Sequence, residues 1–186
     1  MSRRRVERSP SRLPDRVGPS LGLLFVGINP GLRSAAVGHH FAGPSNRFWV
    51  LLHDSGLTTD RLTWRDDGSL PGIGFGLTNL VARPTAGSAD LNRDDFVRGE
   101  RILRRKVRRL RPRIVVFVGV TLIRALEGAR GHRLPRRIRL GEVSGRFEDV
   151  PFVVLPNPSG RNASISYAGM LSAYTRLAGL CRTQRS

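Results

Sequence analysis

The sequence predicts an α/β domain with a mainly parallel sheet, on three observations. Two continuous apolar runs of strand length, residues 21–27 and 114–119, each end on glycine. Runs of that kind mark strands covered on both faces. A long amphipathic helical stretch, residues 92–110, lies between them. Strand and helix patterns then alternate along the chain, which is the signature of βαβ units.

The elements follow in order. Residues 21–27 predict a short buried strand, and residues 28–44 a loop holding five glycines and prolines. Residues 46–56 predict a helix, with Ser45 as its N-cap and Gly56 as its stop. Residues 58–73 are polar and turn-rich, and residues 74–81 contain a weaker strand, FGLTNLV. In the helix at 92–110, Phe96, Leu103, Val107 and Leu110 share one face, while Arg101, Arg104, Arg105, Arg108 and Arg109 point elsewhere. Pro112 ends it. IVVFVG at 114–119 predicts the central strand. A short helix at 121–127, a strand at 152–155, a polar loop at 156–166 and a closing helix at 167–180 complete the chain.

At 186 residues the chain suits one domain with a sizeable core. The expected division is a basic tail at 1–20 and a single domain at 21–186. The formal net charge is +18. Such an excess favours polyanions, and nucleic acid is the leading partner class. Lys106 is the only lysine among these basic residues. Coding bias accounts for much of that preference for arginine, but not for the excess over 14 acids. The single cysteine, Cys181, rules out a disulfide framework or a site built on several thiolates. A cytoplasmic location is expected, with nucleoid association in a bacterium. No apolar run approaches the roughly 20 residues of a membrane span. No membrane partner, metal or cofactor is expected, and a monomer is expected because one arginine-covered domain would repel its copy.

Two loops follow strands, GINPG at 27–31 and PNPSG at 156–160. In parallel sheets the ligand crevice lies beyond the carboxyl ends of the strands, so both loops fall on one edge. Glycine and proline stiffen the first loop, making Asn29 a pre-set amide that can orient water. An Asx-turn that only closes the loop is an equal alternative. Phe41 can stack on a planar base or anchor its loop in the core. His39 and His40 lack acidic or thiol neighbours in sequence, which argues against a metal site. In the second loop Ser159 and Gly160 can offer backbone amides to phosphate, and Asn157 is a further fixed amide. Arg161 stands at the loop tip, suited to a phosphate or to insertion between bases.

GINPG, then Phe41-Ala42, then Pro44 with NRFW at 46–49, then TNLV at 78–81 with Arg83-Pro84-Thr85, then LPNPSG at 155–160 form an ordered set. In order and spacing, from about Leu23 to the last helix, this set resembles the mismatch-specific uracil-DNA glycosylases and their thymine-DNA glycosylase relatives. The resemblance implies a three-layer α/β/α sandwich on a short, mainly parallel four-stranded sheet. It implies a monofunctional glycosylase that flips uracil out of DNA and hydrolyses its N-glycosidic bond, initiating base excision repair. G·U mispairs would be favoured, other damaged bases are further substrates to test, and single-stranded DNA is a second possible substrate form. Asn29 would position the attacking water and Phe41 would stack on the base. Ile28, Gly31, Ser34 and Asn157 would line its pocket, and Ser159, Gly160, Arg161 and Asn162 would hold the DNA. Arg161 stands where bacterial members carry an apolar wedge, and Ala163 where an arginine is usual. Asp90 is a candidate second water activator if it reaches the pocket. A non-catalytic DNA-damage binder on the same scaffold is the alternative; an RNA- or nucleotide-binding module is more distant.

Overall fold

The structure, a computed structural model, describes residues 12–130, 138–160 and 162–183. Four strands are parallel: β1 (Leu23–Gly27), β2 (Phe75–Asn79), β3 (Ile114–Val118) and, after the antiparallel β4 (Val143–Phe147), β5 (Val150–Leu155). The sheet order is β2-β1-β3-β5-β4. The helices are α1 (Leu32–Val37), α2 (Phe48–Asp54), α3 (Arg93–Leu110), α4 (Val120–Arg130) and α5 (Tyr167–Thr183), with 3-10 turns at Trp64–Ile73 and Ser88–Asp90.

Side chains alternate across the sheet, and each face builds its own core. Leu23, Phe25, Leu77, Val116 and Val153 pack with Phe48, Leu51 and Leu52 of α2 and Met170, Tyr174 and Leu177 of α5. Leu24, Val26, Val115, Phe117 and Val154 pack with Leu103 and Val107 of α3 and Leu122, Ile123 and Leu126 of α4. Helices on both faces of one sheet give the expected three-layer sandwich. Its four parallel strands are those expected from sequence.

The fifth strand, β4, corrects the expected count. Its sequence, VSGRF, is polar and half exposed, and its register slips between Val143 and Gly145. The hairpin to β5 turns on Glu148 and Asp149, at φ 51° and 62°. Positive φ at both turn positions usually calls for Asn-Gly, so the sequence carried no turn signal.

Other boundaries also move. α1 lies inside the expected loop at 28–44 and is only six residues long, too short for a periodic pattern. α2 begins at Phe48, and the side-chain oxygen of Asn46, rather than that of Ser45, accepts the Phe48 N–H at 3.0 Å. α3 begins close to its expected position, and a capping box between Asn92 and Asp95 starts it.

The packed chain also starts upstream of the expected residue 21. Arg16 exchanges two backbone hydrogen bonds with Leu77 on the free edge of β2, at 2.9 and 2.7 Å. Leu13 is buried, and Asp15 accepts from Thr78 and pairs with Lys106. Residues 1–11 of the expected tail and residues 131–137 lie outside the described residues.

β1 leads through α2 to β2 on one side, while β2 leads through α3 to β3 on the other. The sheet therefore has its switch point between β1 and β3, where a crevice opens at the carboxyl edge.

Candidate functional site

A cavity of about 460 Å³ lies at that edge. The ends of β1, β2 and β3 contribute to it through Gly27, Asn79 and Val118, and the loop after β5 contributes Asn157. Of the expected base-binding residues, Ile28, Gly31, Ser34, Phe41 and Asn157 all line it, as do Asn29 and Ser159.

Asn29 is held by three hydrogen bonds. Its Nδ2 donates to Thr85 Oγ1 at 2.7 Å, to the Pro30 carbonyl at 3.1 Å and to the Arg83 carbonyl at 3.3 Å. The Thr85 hydroxyl spends its own proton on the Gly87 carbonyl, leaving only a lone pair for Asn29. Two carbonyls and that lone pair require the NH₂ side of the amide to face them. The acceptor oxygen Oδ1 is thereby turned away from the brace, and Asn29 is among the residues that line the cavity. The loop itself is braced too: Thr85 N–H donates to the Pro30 carbonyl, and Leu80 and Val81 donate to the carbonyls of Gly27 and Ile28.

Phe41 carries φ 52°, a left-handed conformation costing a non-glycine residue roughly 1–2 kcal/mol. Its ring stacks on the buried ring of Phe48, with centroids 3.9 Å apart and planes 18° from parallel. One ring face is thus backed by the core while the ring lines the cavity. Ser34 is buried, and its Oγ accepts the Ala42 N–H at 3.1 Å, tying α1 to the Phe41 loop. Arg33 Nε adds a bond to the Ala42 carbonyl.

Sequence reasoning missed His40, Asn46, Ala86 and Ser88 as lining residues. His40 is 2% exposed, and its backbone N–H donates to Asp67 Oδ2. Burial holds its pKa below the usual 6.5, against the opposing Pro14 contact and nearby Asp67. The neutral ring donates from Nε2 to the Pro14 carbonyl at 3.0 Å. Asp67, itself buried, also takes Arg16 and His39. A histidine pair beside a distant aspartate gives no local signal; only the 3-10 turn brings them together. The one available hint for Ala86 and Ser88 was their place just after Arg83-Pro84-Thr85.

The second loop is folded on itself. Asn157 Oδ1 accepts the Ser159 N–H, and Asn162 spends Nδ2 on the Asn157 carbonyl and Oδ1 on Ser164. Asn162, expected to hold DNA, therefore buttresses its own loop. Gly160 lies so close to Ser45 that a Cβ there would overlap the Ser45 side chain. Arg47 N–H donates to the Pro158 carbonyl at 2.9 Å, joining this loop to the start of α2. Arg161 lies outside the described residues.

Asp90 does not join the site. It is exposed on the 3-10 turn, and its Oδ2 accepts the Gly87 N–H at 3.0 Å, so it shapes the bracing loop instead of lining the cavity. No carboxylate is among the described lining residues. Among the described residues no group of three or more His, Cys, Asp or Glu is placed to hold a metal ion, and no helix is long and apolar enough to cross a membrane.

Fold and site together define a three-layer α/β domain with a cavity, walled in part by amides and one backed aromatic ring, at the sheet's switch point. The chain belongs to the uracil DNA glycosylase superfamily, whose family model matches residues 14–176. It is 37% identical over 158 residues to the G/U mismatch-specific uracil DNA glycosylase of Schizosaccharomyces pombe. That alignment covers 83% of this chain and 49% of the relative, so the chain spans about half the length of the curated protein it matches. In fold it is similar to a solution NMR structure from Methanosarcina acetivorans, described as a candidate uracil DNA glycosylase, with a TM-score of 0.59 at 16% identity. That match covers 95% of this chain and 99% of the other.

Proposed function

We propose that this protein is a monofunctional DNA glycosylase that removes uracil from DNA, with G·U mispairs favoured. The observation that carries the proposal is the braced Asn29 amide, whose acceptor oxygen is left for water beside a core-backed aromatic ring.

The substrate nucleotide is flipped out of the duplex, and its base enters the cavity against Phe41. As the C1′–N1 bond breaks, its electron pair leaves with uracil N1 and positive charge develops on the sugar. Residues 27–34 line the cavity, and backbone amide dipoles of this segment would meet the departing anion. Water held by Asn29 Oδ1 attacks C1′, and its proton passes to solvent or to the leaving base. An amide takes no proton, and no carboxylate is among the described residues that line the cavity. Slow turnover and a need for a good leaving group follow. Mispaired bases unstack at lower cost, which favours G·U over A·U.

The reaction stops at an abasic site. A lyase step needs an unprotonated amine. Lys106 donates instead to Asp15 and Thr78 on the outer edge of β2. The basic excess supplies affinity for the DNA backbone and a steep salt dependence.

The test is alkaline cleavage after incubation with G·U, A·U, G·T and single-stranded uracil substrates. Alkali-labile sites on G·U that vanish with Asn29→Ala are expected. Absence of product from every uracil substrate would reject the proposal.

A further inference from the structure

The charge of α3 is divided between two kinds of arginine. On its flanks, basic groups are spent inside the fold: Arg104 bonds Glu100 and Glu148, Arg108 pairs with Glu148, and Lys106 pairs with Asp15. At the start of the helix Asp95 is taken by Arg83. Arg98, Arg101, Arg105 and Arg109 are exposed, and none of them closes an ion pair among the described residues; Arg98 lies near Asp95, whose carboxylate is already held by Arg83. At 100° per residue these four fall within an arc of roughly 80°. That arc lies opposite the face formed by Leu103 and Val107, which are buried in the core. Coding bias can account for arginine in place of lysine. It does not explain why ion pairs are withheld from one stripe and present on both sides of it.

The direction of α3 decides what the stripe can reach. The helix starts just after the loop that braces Asn29, at the carboxyl edge of the sheet, and ends before β3 at the opposite edge. Its 18 residues span about 27 Å. Exposed Arg111, at φ 43° on the helix C-cap, and exposed Arg113 continue the charge onto that far edge. A straight duplex lying across the cavity is at the carboxyl edge and runs away from the far half of the stripe.

We propose that the Arg98-Arg101-Arg105-Arg109 face of α3 is a second nucleic-acid surface, which holds the backbone of a duplex segment other than the one whose base occupies the cavity. Four guanidinium groups with no base-reading partners grip phosphates without regard to sequence. Once one segment is bound, neighbouring stretches of the same polymer are at high local concentration, so the second surface is filled by DNA. The protein then passes directly from segment to segment without entering free solution. This rests on the glycosylase reading only for the identity of the polymer.

The experiment uses the full chain and undamaged duplex. Dissociation from a labelled duplex is followed at rising concentrations of unlabelled duplex, for wild type and for the variant Arg101→Glu, Arg105→Glu, Arg109→Glu. A charge-matched control carries Arg61→Glu, Arg65→Glu and Arg182→Glu on the other helical layer. Wild type and control are expected to dissociate faster as competitor rises, while the α3 variant stays flat. The variant's salt slope in binding long DNA is expected to fall by about 0.9 for each arginine that met a phosphate. Its single-turnover uracil release from a duplex one helical turn long should equal wild type. Wild-type dissociation independent of competitor would overturn the proposal, as would equal loss in the control. Loss of uracil release by the α3 variant on the short duplex would also overturn it, by assigning the stripe to the substrate duplex. Failure of wild type to release uracil would count against the glycosylase reading alone, because transfer between undamaged duplexes requires no chemistry.

Discussion

The loop after β1 and the loop after β5 meet at one cavity but are held in opposite ways. Asn29 is fixed by groups more than 50 residues away, the Arg83 carbonyl and the Thr85 hydroxyl. Among the described residues, the side chains of Asn157 and Asn162 bond within residues 157–164. The Arg47–Pro158 hydrogen bond and the close seat of Gly160 on Ser45 fasten that loop to the start of α2. A group that must aim a water at one carbon needs its angle set by the whole fold. A group that grips a polymer backbone can ride on a turn that adjusts locally.

That contrast can be broken at its strongest point first. Asn29→Ala should lower single-turnover uracil release from a G·U duplex by about 10²–10³-fold, with the thermal midpoint unchanged because the side chain is not core. A midpoint that fell with activity would make Asn29 a loop brace only. Next, Thr85→Val removes the hydroxyl that orients the amide. Losing one such bond costs about 1 kcal/mol, or roughly fivefold to tenfold in the chemical step. Binding should stay level and Thr85→Ser should restore the rate. Wild-type rates in Thr85→Val would show that the brace does not aim Asn29.

The second loop should respond differently. Gly160→Ala pushes a Cβ into Ser45 and shifts the loop. Weaker DNA binding, by about threefold to tenfold, is expected from the repacking cost, with the rate at saturating DNA near wild type. A rate defect at saturation, with binding intact, would mean that both loops aim the chemistry.

The smallest effect concerns the wall behind the first loop. Burial lowers the His40 pKa below 6.5 in the folded protein. On acidification the unfolded chain therefore takes up the proton first. The stability held above about pH 6.5 is lost as pH falls from there through the lower folded value. Thermal midpoints measured from pH 7.5 down to pH 5 should drop in wild type and drop less in His40→Gln. Parallel curves would assign the acid sensitivity to other groups.

Much of this molecule was legible in its sequence. The four parallel strands and α3 were readable because continuous apolar runs and a single amphipathic face are local signals. Asn29, Phe41 and Asn157 were readable as candidates because glycine and proline around them stiffen loops at strand ends. β4 was not, because its hairpin uses Glu148 and Asp149 where a turn signal would be Asn-Gly. Nor was the packing of Leu13, Asp15 and Arg16, whose partners Leu77, Thr78, Lys106 and Asp67 lie far along the chain. Asp90 was misjudged because proximity in sequence to a bracing loop does not set which way a carboxylate points.

The sequence by itself determined the layers of the fold, the edge on which the two loops fall and the excess of positive charge. Each of these depends on periodicity or composition within a short window. Tertiary structure alone decided which face of the Asn29 amide is turned to the cavity, that His40 is buried and neutral, and which arginines of α3 are spent on acids. Those outcomes depend on hydrogen-bond partners and burial that exist only once residues distant in the chain are packed together.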